Sequence, residues 1–433
     1  MICLCLILLS FFSSVNNEPP MLFSTKTNYD NIKGNAKLDL SKQKCEPVAI
    51  WYLSRHAYRY PKKKETEKIR EGLGALKLNL INSPKLTGDD KQQFKQWQMK
   101  FDPNKHDHIL ADIGKRQARQ IGQYFYTGLR SITHLPYKIV STNLQRTKET
   151  AKQFIQGFLD RPQMSDISII AIPLNNSLLQ YTENCPKYKI DVEDNDKACS
   201  NAKKFLKDNI EFEQELQHVR NRFGLTKDQL DAKMLEQITK ACAYETSIDE
   251  QTSPWCKLLT GKLNEFKEYE GDLKHNCRYG YKYPINYEQT CSLMKQFHSD
   301  LSTMLKEPQN NFYFGHADTV TTFVTKLGLY KDPYSLEAKH FRQKNQWTIS
   351  LISPMNTNIA FILYKNCRGS DNRYSMQVIH NKHLVIPDGC QGKPLCNVHE
   401  FLKHYSSFVK TCNFKQICDS TDGSNENLQH LFQ

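Results

Sequence analysis

A chain of 433 residues is long enough to bury a sizeable core and to hold two structural units. Hydrophobic residues make up 39% and charged residues 24%, the proportions of an ordinary globular protein, which excludes a disordered chain and a membrane-embedded one. The formal net charge of +13 at pH 7 favours anionic partners, whether phosphorylated metabolites, nucleic acid or an anionic membrane surface, and by itself selects none of them.

The chain opens with MICLCLILLSFFSSV, one apolar run that ends in small residues. The run is too short to span a bilayer and lies where a secretory leader sits. Residues 1–17 are therefore expected to be a signal peptide, and the mature chain to be secreted or held in the secretory-pathway lumen. The C-terminus carries neither a GPI-type tail nor a retrieval signal, and no membrane anchor is expected.

Cysteine usage agrees with export. With Cys3 and Cys5 in the leader, twelve remain, and most fall in neighbouring couples with 5 to 13 residues between them: Cys185 with Cys199, Cys242 with Cys256, Cys277 with Cys291, Cys390 with Cys396, Cys412 with Cys418. In an oxidising compartment these read as local disulfide staples, with Cys45 and Cys367 left as a long-range pair. No Cys-x-x-Cys occurs and the gaps fit no common zinc spacing, so no metal is expected there.

Three places along the chain share one pattern. PVAIWYL (Pro47 to Leu53) is rich in apolar and aromatic residues and leads into SRHAYRYP; YKIVST (Tyr137 to Thr142) leads into NLQRTKETAKQFIQGF; NNFYFGH leads into ADTVTTFVTKLGLY. Ala151, Phe154, Ile155 and Phe158 recur at helical spacing, as do Val320, Phe323, Val324 and Leu327. Each unit is a buried-looking strand, a short polar turn and an amphipathic helix. The repeated unit predicts an α/β fold, a sheet with helices packed on it.

The region from 160 to 300 lacks strand pattern and is rich in Lys, Glu, Gln and Asn with helical apolar spacing, as in NAKKFLKDNIEFEQEL. It is expected to be a mainly α-helical insertion capping an α/β domain made of residues 45–159 and 301–410. Beyond it, QWTISLIS and NIAFILYKN read as a pair of strands around Pro354 to Asn358, and YSMQVIH and KHLVIP as another around Asn381 and Lys382. The polar residues 419–433 are expected to be a disordered tail.

Ligands of open α/β sheets bind beyond the carboxyl ends of the strands. The three turns there carry Arg55, His56 and Arg59, then Arg146, then His316 and Asp318. A phosphoryl group in transfer spreads charge over its oxygens, and arginine forks match that geometry with charge-assisted hydrogen bonds. A neutral imidazole can attack phosphorus, and a carboxylic acid opposite it can protonate the leaving oxygen. No Walker-type loop and no carboxylate cluster for magnesium is present, and no cofactor is expected. Taken singly these residues have plain readings: Asp318 or Thr319 fits a helix N-cap, and an Arg-His-x-x-Arg turn can be a solvated one. Arg146 in the first turn of a helix, against the positive end of the dipole, is harder to explain structurally.

RHAYRYP resembles the Arg-His-Gly-x-Arg-x-Pro signature of the histidine acid phosphatases, and FGHADTV resembles their second motif in its His-Ala-acid form. That form, with CAYE (Cys242 to Glu245), SPWC (Ser253 to Cys256), RYGYKYPIN and NIAFILYKN, resembles the multiple inositol polyphosphate phosphatase branch. The likeness runs from about Cys45 to about Tyr405.

The resemblance implies phosphomonoester hydrolysis through a phosphohistidine, with inositol polyphosphates such as phytate as substrates and bisphosphoglycerate for some members. It implies His56 as nucleophile, Arg55, Arg59 and Arg146 as phosphate ligands, His316 as a second phosphate-contacting histidine, and Asp318 as proton donor. It also implies the histidine-phosphatase form of the α/β fold, a mixed sheet flanked by helices, and an architectural helix at LADIGKRQARQIG (Leu110 to Gly122). Three departures bear on rate and substrate choice. Ala57 replaces the signature glycine, Tyr58 adds bulk at the expected entrance, and Asp318 stands where the branch usually has a glutamate. Lys62 to Lys64, Lys68 and Arg70 follow the signature and offer a rim for a polyanion, Lys62 foremost because it lies nearest the loop.

HEFLKH spaces its histidines five apart, so they face different sides of a helix and do not form a zinc pair. Asn175 is the one N-x-Ser/Thr acceptor. No basic and aromatic interleaving marks a nucleic-acid platform, so the expected partner is a small phosphorylated molecule. Two kinds of function stay open: a secreted phosphohydrolase of the inositol polyphosphate type, with broad acid phosphatase activity as its neighbour, or a weakened relative that binds phosphorylated anions without turnover.

Overall fold

The computed structural model describes residues 21–161, 163, 166–368 and 373–420. The expected leader, and residues 421–433 of the expected tail, lie outside the described residues. Eight strands form one mixed sheet: β1 (Glu46–Arg55), β2 (Tyr137–Thr142), β3 (Ile170–Ile172), β4 (Asn310–Gly315), β5 (Asn358–Lys365), β6 (Tyr374–His380), β7 (His383–Val385) and β8 (Cys396–Asn397). Their order is β3-β2-β4-β1-β5-β6-β7, with β8 paired to β6. β1, β2, β3 and β4 run parallel, and β5 turns antiparallel against β1.

The central strand β1 is buried along its last eight residues because both faces of the sheet are covered. Its alternate side chains feed two cores. Trp51 and Leu53 join one with Phe297, Phe323 and Phe361, whereas Ile50 and Tyr52 join the other with Phe125, Phe154 and Phe314. The helices before β3 are α1 (Lys63–Asn82), α2 (Gly88–Gln96), α3 (Asp112–Leu129) and α4 (Gln145–Phe158); of these α4 packs on β2 and β4 and α3 packs on α4. In α4 the stripe Ala151, Phe154, Ile155 and Phe158 is buried, as its spacing predicts.

Between β3 and β4 the chain runs through α5 (Pro186–Tyr188), α6 (Ser200–Lys207), α7 (Ile210–Phe223), α8 (Ala232–Ile248), α9 (Gly261–Tyr279), α10 (Ile285–Glu288) and α11 (Cys291–Met304). Asn209, Asp231 and Thr260 start α7, α8 and α9 as side-chain N-caps, each accepting from a backbone amide three residues on. After β4 come α12 (Ala317–Lys326), α13 (Ile349–Ile352), α14 (Val398–Thr411) and α15 (Phe414–Ile417). No described helix is long and apolar enough to cross a membrane.

Two sequence expectations need correction. QWTISLIS does not pair with β5; Ile349–Ile352 is the helical turn α13, because Asp272 Oδ1 on α9 accepts the Ile349 amide at 2.6 Å and supplies a cap from elsewhere in the chain. The second pair holds: β6 and β7 form a hairpin across Asn381 and Lys382, both at positive φ (49° and 61°), as tight hairpin turns require.

The cysteines depart further from the local pattern. Cys45–Cys367, Cys242–Cys256 and Cys390–Cys396 pair as expected, but the other six join as Cys185–Cys418, Cys199–Cys277 and Cys291–Cys412. Packing of α14 against α11, and of α6 against α9, brings residues distant in sequence closer than their sequence neighbours.

Candidate active site

β1, β2 and β4 are parallel neighbours in register, Arg55 opposite Gly315 and Ser141 opposite Phe314, so their carboxyl ends share one edge. The turns leaving that edge hold His56, Arg146 and His316. The His56 amide donates to the Gly315 carbonyl at 3.0 Å, extending the ladder one residue past the strand. His56 is buried, and its ring lies 5.8 Å from that of His316, edge to face.

The His56 Nδ1 is 2.9 Å from the carbonyl of Ala57. A carbonyl only accepts, so Nδ1 carries the proton and Nε2 keeps its lone pair. Burial, then the charges of Arg55, Arg146 and Arg59, hold the imidazole well below its usual pKa, and it is neutral. His316 is lowered to about 3 by burial and then Arg146 and Arg55; its Nε2 is 3.1 Å from Thr142 Oγ1 at the end of β2. His316 also occupies the N-cap position of α12, which places Asp318 in the first turn rather than at the cap.

Asp318 is half-buried and accepts a hydrogen bond from Thr182 Oγ1. Burial raises its pKa, with the Thr182 hydrogen bond opposing and the charge of Glu183 adding. A carboxyl group raised in this way keeps a proton to give at higher pH than an exposed aspartate does.

The arginines are fixed by different parts of the chain. Arg55 Nη1 donates to the carbonyls of Thr25, Ser353 and Pro354 at 2.7, 2.9 and 3.0 Å. Arg59 Nη1 donates to the Tyr60 carbonyl at 2.7 Å, and its backbone bridges to Leu110. Arg146 is the second residue of α4, and burial lowers its pKa to about 10. The Nε atoms of both Arg55 and Arg146 are buried without a hydrogen-bond partner among the described residues. Lys62 is exposed just ahead of α1 and lines, with Arg55, Arg59, Lys64 and Lys68, a cavity of about 460 Å³. A neighbouring cavity of about 630 Å³ lies between α8, α9 and the N-terminal residues 23–26.

Two departures from the signature have physical answers. Ala57 is not at positive φ, so its methyl group meets no backbone penalty; its amide donates to Thr150 Oγ1 on α4 at 2.9 Å. Tyr58 does not narrow an entrance. It is fully buried with its hydroxyl 3.1 Å from the Lys26 carbonyl and 3.0 Å from the Ala243 carbonyl, and its ring stands edge-on to Tyr244 of the CAYE stretch. Gly114 of α3 lies so close to the backbone of Tyr58 that an added Cβ would stand 2.2 Å from its carbonyl oxygen.

The turns thus bring Arg55, His56, Arg59, Arg146, His316 and Asp318 together, with Lys62 at the rim. Sequence reasoning missed Thr142, Thr150 and Thr182, whose hydroxyls hold His316, the Ala57 amide and Asp318. It also missed His108, lowered to about 4 by burial and then by Arg59 and Arg146, and Lys26, which borders both cavities.

A family model described as histidine phosphatase superfamily (branch 2) matches residues 50–381. Multiple inositol polyphosphate phosphatase 1 of Homo sapiens is 23% identical over 435 residues, covering 92% of this chain and 88% of its own length. The protein of that name from Drosophila melanogaster is 25% identical over 412 residues, covering 89% and 85%. Among solved structures, the phytase from D. castellii superposes with a TM-score of 0.70 at 17% identity, covering 92% of this chain and 86% of that one. A Bifidobacterium longum multiple inositol polyphosphate phosphatase in complex with inositol hexasulfate gives 0.64 at 14% identity, covering 89% and 97%. At such identities the superpositions speak for the fold. A mixed sheet with two histidines and three arginines at the carboxyl ends of its parallel strands, matched over residues 50–381, places this chain in branch 2 of the histidine phosphatase superfamily.

Proposed function

We propose that this chain is a secreted phosphomonoesterase that hydrolyses inositol polyphosphates of the phytate type, and 2,3-bisphosphoglycerate as a second substrate, with the helical region 160–300 as a cap over the site. The names of its relatives support the substrate class. The observation that carries the reading is the pairing of a neutral His56, whose Nε2 keeps its lone pair, with two buried guanidinium Nε donors, Arg55 and Arg146, that have no hydrogen-bond partner among the described residues. Buried donors of this kind are satisfied in nearly all native structures, and an anion beside His56 satisfies both.

In the first step the His56 Nε2 lone pair forms a bond to phosphorus as the bond between phosphorus and the inositol oxygen breaks. Asp318 gives its proton to that leaving oxygen. In the second step water attacks the phosphohistidine, Asp318 takes a proton from the water, and the nitrogen-phosphorus bond breaks to release inorganic phosphate. Arg55, Arg59, Arg146 and His316 hold the equatorial oxygens in both steps, and Lys62 faces a further phosphate at the rim.

Acid-labile, alkali-stable labelling of the protein on rapid quench with radiolabelled substrate tests the intermediate. The adduct is expected in the wild type and not in His56→Ala. Its survival in His56→Ala contradicts the nucleophile assignment.

A further inference from the structure

The N-terminal segment ahead of β1 lies outside the stretch matched by the family model, yet two residues of the signature loop grip it. Arg55 Nη1 donates to the Thr25 carbonyl at 2.7 Å, and the Tyr58 hydroxyl lies 3.1 Å from the Lys26 carbonyl. That hydroxyl also lies 3.0 Å from the Ala243 carbonyl on α8, so one phenol ties the segment to the cap side of the site. Thr25 and Lys26 line both the 460 Å³ cavity at the arginines and the adjoining 630 Å³ cavity.

We propose that Lys26 is a specificity residue that holds a phosphate group of the substrate other than the one attacked, and that Tyr58 is the positioning residue that places it. The proposal rests on the reading of this site as a polyphosphate phosphatase. Nearby acids are engaged elsewhere: Glu65 pairs with Lys240 at 3.4 Å, and Glu236 pairs with Lys267 at 2.6 Å and Lys240 at 3.3 Å. No hydrogen bond or ion pair engages the Lys26 ammonium among the described residues. Lys62, by contrast, stands exposed at the rim, where water screens its charge. Burial lowers Lys26 to about 8, with Glu65 and Glu236 opposing the shift and Lys240 and Arg59 adding to it, so it remains mostly protonated at neutral and acid pH. A partly desolvated, uncommitted ammonium at the junction of two cavities suits a small anion bearing two or more phosphates.

The test compares Lys26→Met, Lys26→Arg and Tyr58→Phe with the wild type on phytate and on p-nitrophenyl phosphate, which has one phosphate. Lys26→Met is expected to raise KM for phytate at least about tenfold and KM for p-nitrophenyl phosphate less than about threefold. Lys26→Arg restores most of the phytate loss, and Tyr58→Phe gives a weaker form of the same selective loss. Equal changes on both substrates, or an unchanged KM for phytate, overturn the proposal. Failure of the wild type to hydrolyse phytate counts against the enzyme reading instead. Calorimetric binding of myo-inositol hexakissulfate then decides Lys26 separately: weaker binding by Lys26→Met upholds its role and equal binding overturns it.

Discussion

His56 Nδ1 lies 2.9 Å from the carbonyl oxygen of Ala57, its neighbour in the chain, and this contact leaves Nε2 as the basic nitrogen of the ring. Removing that nitrogen removes the covalent route. His56→Ala is expected to lower kcat on any phosphomonoester by at least about 1,000-fold while the melting temperature stays within a few degrees. Steady-state kinetics with calorimetric unfolding check both halves.

The pH profile follows from two shifts of opposite sign. His56 is held well below its usual pKa, first by burial and then by the arginines, so it stays neutral and nucleophilic as pH falls into the acid range. Asp318 is raised by burial, and donation needs its protonated form, so kcat declines as pH rises through that raised value. Asp318→Asn is expected to cost about 100- to 10,000-fold on phytate, less on p-nitrophenyl phosphate with its better leaving group, and to abolish the alkaline decline. Asp318→Glu lengthens the donor by one methylene and is expected to retain activity.

Gly114 tests how tightly the signature loop is seated. A Cβ there would lie 2.2 Å from the Tyr58 carbonyl oxygen and 2.8 Å from its amide nitrogen, and backbone cannot swing aside as a side chain can. Gly114→Ala is expected to destabilise the fold by about 1–3 kcal/mol and to lower kcat as the loop shifts. Ala57→Gly, in contrast, gains nothing: Ala57 is not in the left-handed region, and added backbone freedom costs about 0.5–1 kcal/mol. Denaturant titration of the two variants distinguishes them.

The disulfides that cross the chain hold its C-terminal part. Cys185–Cys418 and Cys291–Cys412 tie the region around α14 and α15 to the helices between β3 and β4. Replacing Cys185 and Cys418 together by alanine is expected to cost about 2–5 kcal/mol, measurable as a fall in the unfolding midpoint under non-reducing conditions.

Much of the architecture was legible because it is local. The apolar run ending at Arg55 and the stripe of α4 are patterns within a few residues, and the parallel strand ends that gather His56, Arg146 and His316 follow from repeating one strand-turn-helix unit. What was not legible depends on contacts made only in the folded chain. Asp272 caps α13 from α9 and turns an alternating stretch into helix; Thr182 reaches Asp318 from the loop after β3; Lys26 arrives at the cavity because Arg55 holds the Thr25 carbonyl and Tyr58 the Lys26 carbonyl. Three of the five cysteine couples failed for the same reason, since closeness in sequence is weaker than helix packing in choosing partners.

Phosphate release by the purified protein from phytate, 2,3-bisphosphoglycerate and p-nitrophenyl phosphate, with a metal chelator present and from acid to neutral pH, is the most direct test. Chelator-resistant release with phytate favoured, and lost in His56→Ala, is the predicted result. Tight phytate binding without release from any of the three substrates contradicts the enzyme and leaves a phosphate-binding protein in its place.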